Sequence, residues 1–183
     1  SAGRVAVQVT PNRLVFPYKG QEHRYNFDHV LGEAENQVSV FQTLGQPQLA
    51  KAFEGYNSTI FAYGQTGSGK TFTMLNVDRE EQERGLIPRM SSNLFGRVAG
   101  SESKTNRYLI QCSFLEIYNE VIYDLLTPRS RARGKGLEIR EQKGLGIYVK
   151  DLTEEVVETS EQMDRLIREG FAQRTTAATS SNE

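Results

Sequence analysis

The residues Gly64-Gln65-Thr66-Gly67-Ser68-Gly69-Lys70-Thr71 carry the spacing G-x-x-x-x-G-K-[ST]. A loop of this kind holds phosphates with main-chain N–H groups, which converge on an anion only where the backbone curls through conformations that glycine adopts at little cost. Gly64, Gly67 and Gly69 supply that freedom. Lys70 is expected to reach the β- and γ-phosphates as a compact cation. The Thr71 hydroxyl is expected to take one coordination position on Mg²⁺, an ion that keeps several waters and uses few protein oxygens. The predicted ligand is a nucleoside triphosphate with its magnesium.

Such a loop needs a strand to deliver the chain into it and a helix N-terminus to follow it. Ser58-Thr59-Ile60-Phe61-Ala62 reads as a short buried strand, and Lys70-Thr71-Phe72-Thr73-Met74 as the start of a helix. Earlier in the chain, Val5 to Val9, Leu14 to Phe16 and Tyr25 to Phe27 are strand-like pieces separated by turn signals at Pro11-Asn12 and Pro17-Tyr18-Lys19-Gly20. From Gln37 the period becomes helical through Val38, Phe41 and Leu44, with Pro47 placed to open a second helical segment and Gly55 to close it. Met90, Leu94, Phe95 and Val98 after Pro88 form one apolar helix face.

Arg107 to Asp124 is rich in apolar residues, and its continuity predicts a central strand covered on both faces. Thr159 with Gln162 has the spacing of a capping box, and Met163, Leu166, Ile167 and Phe171 predict a buried helix face ending near Gly170. Strands alternating with helices predict an α/β fold of three layers, α/β/α, on a mainly parallel central sheet, with nucleotide at the carboxyl ends of the strands.

With 183 residues, 37% hydrophobic and 25% charged, the chain can bury one core. Neither a membrane span nor a secretory leader is evident, so no membrane partner is expected. The lone Cys112 sits among apolar residues and reads as a small core residue, consistent with a reducing, intracellular setting. A net charge of −1 offers no global attraction to nucleic acid, and none is expected as a partner. His23 and His29 have no neighbours at metal-ligand spacing, no G-x-S-x-G elbow is present, and Glu116 with Glu120 suits salt links or caps better than acid–base work.

The stretch Gly55 to Thr71, GYNSTIFAYGQTGSGKT, resembles the nucleotide loop of a kinesin motor head. The similarity extends to Tyr25-Asn26-Phe27-Asp28-His29-Val30, to Gly85-Leu86-Ile87-Pro88-Arg89 and to Ser113-Phe114-Leu115-Glu116-Ile117-Tyr118-Asn119-Glu120 with Asp124-Leu125-Leu126. It continues in Gly146-Ile147-Tyr148-Val149 with Leu152, and in Arg174, Ala177, Thr179 and Asn182, which match the family's approach to its first switch over 174–183. Residues 1–183 thus resemble the N-terminal half of a motor head with a P-loop NTPase fold, stopping before the switch residues that position the attacking water.

The resemblance implies an ATP-dependent microtubule motor of the cytoplasm and cytoskeleton. ATP or ADP and Mg²⁺ would be its cofactors, with ATP hydrolysed in the intact head and normal turnover not expected of these residues alone. It also places Phe72 where the family carries a ring against adenine; the other reading of Phe72 is a ring packing the first helical turn into the sheet. Arg89 and Asn93 read as structural. Arg129, Arg131, Arg133, Lys135, Arg140 and Lys143, in a basic stretch over about 128–143 punctuated by Pro128, Gly134 and Gly136, read either as a solvated loop or as an auxiliary contact with acidic tubulin. The alternatives to a motor are a non-catalytic nucleotide-binding, microtubule-associated module and, more remotely, another P-loop enzyme such as a small-molecule kinase.

Overall fold

Two turns fold the first strand-forming runs back on one another. The computed structural model describes residues 7–101, 107–127, 136–144 and 146–180, with side chains described as far as 174. β1 (Gln8–Thr10), β2 (Arg13–Tyr18) and β3 (Gln21–Asn26) form an antiparallel meander in which Arg13 pairs with Asn26 and Tyr18 with Gln21. Lys19 and Gly20 take φ of 50° and 76°, the left-handed pair that a tight two-residue hairpin turn requires. Phe16 stacks on His23 directly across the ladder at 5.6 Å and on Tyr25 diagonally at 5.9 Å. His23 is thus a packing ring of the hairpin, while His29 is exposed.

The side chain of Asn36 accepts the Ser39 N–H at 3.0 Å and caps α1 (Gln37–Val40). The chain then passes through one π-helical turn, Phe41–Gly45, directly into α2 (Gln46–Phe53). Pro47 stands in the first turn of α2, as expected, where a nitrogen with no hydrogen to donate is tolerated, although the π turn leads into this helix without a break. A Cβ on Gly45 would lie 2.7 Å from the Phe41 ring, so only glycine lets that ring and Leu86 close over the turn. Gly55, at φ 92°, ends α2: its N–H bonds to the Ala52 carbonyl at 3.0 Å while Tyr56 N–H reaches Lys51 O at 3.1 Å. That pair of bonds is a Schellman cap.

Ser58–Ala62, expected as a buried strand, joins no ladder, and Phe61 and Tyr63 are 82% and 95% exposed. Its β-branched and aromatic residues favour extension, but among the described residues no neighbouring strand pairs with it, and propensity without a partner makes no strand. The phosphate-loop motif follows, then α3 (Lys70–Met74) and a single 3₁₀ turn at Glu81–Glu83. α4 (Leu86–Ser101) buries Leu86, Pro88 and Val98. Phe41, Leu49, Leu86, Val98, Ile122, Leu125, Val157 and Ile167 form the buried apolar core.

The span from Arg107 to Asp124 is not one central strand. It divides into β4 (Gln111–Cys112), β5 (Leu115–Tyr118) and β6 (Val121–Asp124), with β5 and β6 paired as a hairpin. The divider is Asn119-Glu120, both residues left-handed at φ 49° and 63°. Leu109 and Ile117 are 70% and 65% exposed, so the run is not covered on both faces either. β7 (Ile139–Gln142) pairs with β8 (Gly146–Val149), and β9 (Glu155–Val156) with β4. Every ladder among the described residues is antiparallel, in small sheets, so the expected parallel central sheet is not found there. Asp124, buried at the end of β6, ties these pieces together by accepting N–H bonds from Leu126 and Thr153, each at 2.8 Å.

Thr159 caps the last helix, α5 (Ser160–Ser180), its hydroxyl accepting the Gln162 N–H at 3.3 Å while Gln162 Oε1 accepts Glu158 N–H at 2.7 Å. The helix does not end near Gly170. Gly170 is buried mid-helix because the Phe114 ring leans onto it: a Cβ there would lie 2.3 Å from Phe114 Cδ1. No helix among the described residues is long and apolar enough to cross a membrane. Replacing Gly170 by Ala would ordinarily add about 0.5–1 kcal/mol of helix stability, but at this contact the overpacking cost of about 1–3 kcal/mol wins. G170A should lower the urea midpoint and the double variant G170A/F114L should recover part of the loss; a raised midpoint in G170A would show that the contact is not made.

Candidate nucleotide-binding site

The motif residues form an exposed curl between the extended segment and α3. Gly67 and Gly69 are left-handed at φ 82° and 91°, and Gly69 is the residue from which α3 starts. Gly64 is needed for a different reason, since a Cβ there would stand 2.4 Å from Ser68 Oγ, inside the curl. Ser68 N–H closes the turn on Gln65 O at 3.2 Å. Lys70 folds back into this curl and donates from Nζ to the carbonyls of Gly64 at 2.7 Å and Gln65 at 2.8 Å. Two of the loop's carbonyls, those of Gly64 and Gln65, are thereby engaged by its own cation; Thr66, Gly67, Ser68 and Gly69 complete the curl.

Thr71 lies exposed on the first turn of α3. Among the described residues no group of three or more His, Cys, Asp or Glu is placed to hold a metal ion. A single hydroxyl suits a hard ion that takes most of its ligands from phosphate and water, so the donor set fits Mg²⁺ held with a nucleotide rather than alone. α3 has only five residues, so its dipole would add little to the binding of an anion, which would fall mainly to the main-chain amides of the loop.

One hydrogen bond onto this short helix comes from a residue that the motif pattern does not contain. Gln37, on the first turn of α1 and only 6% exposed, donates from Nε2 to the Phe72 carbonyl at 2.7 Å. Its sequence signal is its position: Gln37, Phe41, Gly45 and Leu49 recur every fourth residue and are all buried, so Gln37 is a polar residue in an otherwise apolar stripe. Beyond α3, Gly85 N–H returns to Leu75 O at 3.1 Å and Asn76 Nδ2 bonds to Glu83 O, closing the connection into α4.

The Phe72 side chain is 54% exposed and does not pack into a sheet. Its ring borders an open cleft of about 590 Å³ between α3 and α5, shared with Leu75, Ile167 and Phe171. Arg168 and Asp78 pair across the same cleft at 2.6 Å. Arg84 pairs with the nearly buried Asp164 of α5, Arg89 donates to the Arg84 and Glu81 carbonyls, and Asn93 Nδ2 to Arg89 O, so Arg89 and Asn93 are structural. Glu116 is paired with Arg174 at 3.0 Å. Burial pushes the Cys112 thiol above its ordinary pKa, the opposite of an activated nucleophile.

Arg129, Arg131, Arg133 and Lys135 lie outside the described residues. Arg140 stands on β7, where its guanidinium, 2.8 Å from Glu138, holds that carboxyl below its usual range. Lys143 is in the β7–β8 turn.

Comparison with known proteins gives this geometry its lineage. The kinesin motor domain family matches residues 9–183. The kinesin-like protein KIN-12B of Oryza sativa subsp. japonica is 45% identical over 86% of the chain, and the kinesin-like protein unc-104 of Caenorhabditis elegans 43% identical over 86%. A solved chain titled "Structure of a fast kinesin: Implications for ATPase mechanism and interactions with microtubules" superposes with a TM-score of 0.90 and 32% identity over 100% of the chain. The chain spans 15% and 10% of the two curated relatives and 51% of that solved chain. A phosphate-loop curl set in a backbone that follows a solved kinesin this closely, in a sequence matched almost from end to end by one family, places the chain in the kinesin motor domain family.

Proposed function

We propose that residues 64–72 are the Mg-nucleotide site of a microtubule motor head that couples ATP hydrolysis to filament binding and movement. The observation that carries this reading is the loop itself: left-handed Gly67 and Gly69, a Gly64 whose Cβ would meet Ser68 Oγ, and a lysine ammonium bonded to the loop's own Gly64 and Gln65 carbonyls. Main-chain N–H groups of the curl would bind the α- and β-phosphates, Lys70 would extend to the β- and γ-phosphates, and Thr71 would hold the magnesium. Magnesium, when bound, supplies charge neutralisation between the β- and γ-phosphates. The half-exposed Phe72 ring, beside an open cleft rather than in the core, is available to stack on a base.

Phosphoryl transfer draws its rate mainly from positioning and electrostatic stabilisation, so the role of these residues is to bind and orient the triphosphate. Turnover belongs to the whole motor head. Family membership supports a cytoskeletal, cytoplasmic place of work, with the filament as partner. Arg129, Arg131, Arg133, Lys135 and Lys143 are proposed as an auxiliary contact, because a dense run of cations offers an acidic surface a local attraction that a net charge of −1 does not.

Removing the Lys70 ammonium should cost charge-assisted bonds worth about 1.5–3 kcal/mol, or roughly 10- to 150-fold in Mg-ATP affinity. K70A titrated calorimetrically against the unaltered chain, with circular dichroism to confirm the fold, reads this directly; equal affinities would overturn the site. In a whole head carrying these residues, R131E/R133E should weaken microtubule co-sedimentation at low salt, with the difference shrinking as salt rises. Affinity unchanged at low salt would remove the basic stretch from the filament contact.

A further inference from the structure

We propose that Gln37 is a positioning residue for the nucleotide site: its amide sets the orientation of α3 and thereby aims Lys70 and Thr71. This inference rests on the functional reading above.

α3 is five residues long, and none of them is fully buried, so apolar packing alone does not fix how it sits. Its hydrogen bonds must do so. The last four carbonyls of any helix lack partners within it, and in a helix this short that is nearly all of them. The chain also leaves abruptly, through Leu75 at φ −106° and ψ −88° and a left-handed Asn76 at φ 42°, so the helix cannot continue far enough to satisfy them itself. Thr71 O is taken by Leu75 N–H at 2.9 Å and Leu75 O by Gly85 N–H at 3.1 Å, both from the same connection. Phe72 O is taken from outside, by Gln37 Nε2 at 2.7 Å, across 35 residues of sequence.

The donor is well suited to the task because it is held rigidly. Gln37 is buried, Asn36 caps the turn it stands on, and the buried Phe41 lies one turn further along the same stripe. The π turn, with Phe41 and Leu86 closing over Gly45, and the Schellman cap at Gly55 fix the other end of this support. The bond to Phe72 O therefore restrains the Phe72–Thr73 peptide plane, one residue beyond Thr71 and two beyond Lys70. A small rotation of that plane displaces both the hydroxyl and the ammonium, and misplaced binding groups lose affinity steeply.

The test compares the unaltered chain with Q37M, which keeps the length and volume of the side chain but removes the donor. Q37N retains an amide one methylene too short to reach and serves if Q37M fails to fold. Affinity for a fluorescent ADP analogue is measured with Mg²⁺ and again with EDTA, and hydrogen–deuterium exchange is followed over residues 69–75 without nucleotide. Losing the buried bond and the aim of Thr71 should lower affinity by roughly 5- to 30-fold in Mg²⁺, with a smaller loss in EDTA and faster exchange confined to 69–75. Unchanged affinity and an unchanged Mg²⁺-to-EDTA ratio in the variant would overturn the proposal. So would an equal loss in both conditions together with faster exchange throughout the chain, which would make Gln37 a stability residue only. If the unaltered chain binds no nucleotide in either condition, the functional reading itself fails and this inference with it.

Discussion

A loop that turns its amides toward an anion leaves carbonyls facing elsewhere, and these need a positive partner if the curl is to hold its shape. Lys70 meets that need by donating to Gly64 and Gln65, so a single side chain braces the loop and supplies its charge. The brace is intramolecular and the carbonyls are neutral, which leaves the ammonium's charge uncompensated and attractive to phosphate. The glycines are the counterpart of this arrangement. A side chain at Gly64 would intrude on Ser68 within the curl, and Gly67 and Gly69 occupy backbone that most residues adopt only at a cost.

The supports around this loop divide into two kinds. Behind it stands an apolar scaffold, the continuous run from α1 to α2 packed on α4 through Phe41, Leu49 and Leu86. Between scaffold and loop the ties are polar: Gln37 to Phe72 O, Asn76 to Glu83 O, and Gly85 N–H to Leu75 O. The nearly buried pair of Arg84 with Asp164 extends the same logic to α5. Buried ion pairs add little net stability, because desolvation offsets attraction, but a charge left alone there is costly, so the pair fixes register more than it strengthens the fold.

The glycine-rich curl at 64–71, the first hairpin and the cap at Gly55 were legible in sequence because each depends on local chemistry: glycine conformations, turn residues and a left-handed cap. Failures occurred where the outcome depends on distant partners. Ser58–Ala62 has strand composition without a strand beside it. Arg107 to Asp124 has the apolar content of a central strand, yet Asn119-Glu120 takes the paired left-handed conformation of a hairpin turn, a signal that Asn carries weakly and Glu conceals. Gly170 looked like a stop because glycine commonly ends helices, whereas here it makes room for the Phe114 ring, a contact across 56 residues. Within the candidate site, the motif named the residues of the curl but not Gln37, since a lone glutamine in an apolar stripe has no motif.

The division between apolar scaffold and polar ties bears on how a nucleotide site can answer to its contents. Shifting a packed core element opens voids and forfeits many dispersion contacts at once, and such elements resist small displacements. A five-residue helix with no fully buried side chain resists mainly through a few hydrogen bonds, each worth about 0.5–1.5 kcal/mol net. A bound triphosphate and its magnesium would engage Lys70 and Thr71 through charge-assisted interactions of about 1.5–3 kcal/mol each, above that scale. α3 borders the cleft it shares with α5, and α5 is linked in turn to β5 through Arg174 and Glu116. The physical consequence is that the charge of a bound ligand would act first on the element whose restraints are weakest and polar, next to the long helix that the Arg84–Asp164 and Arg168–Asp78 pairs tie to the connection following α3.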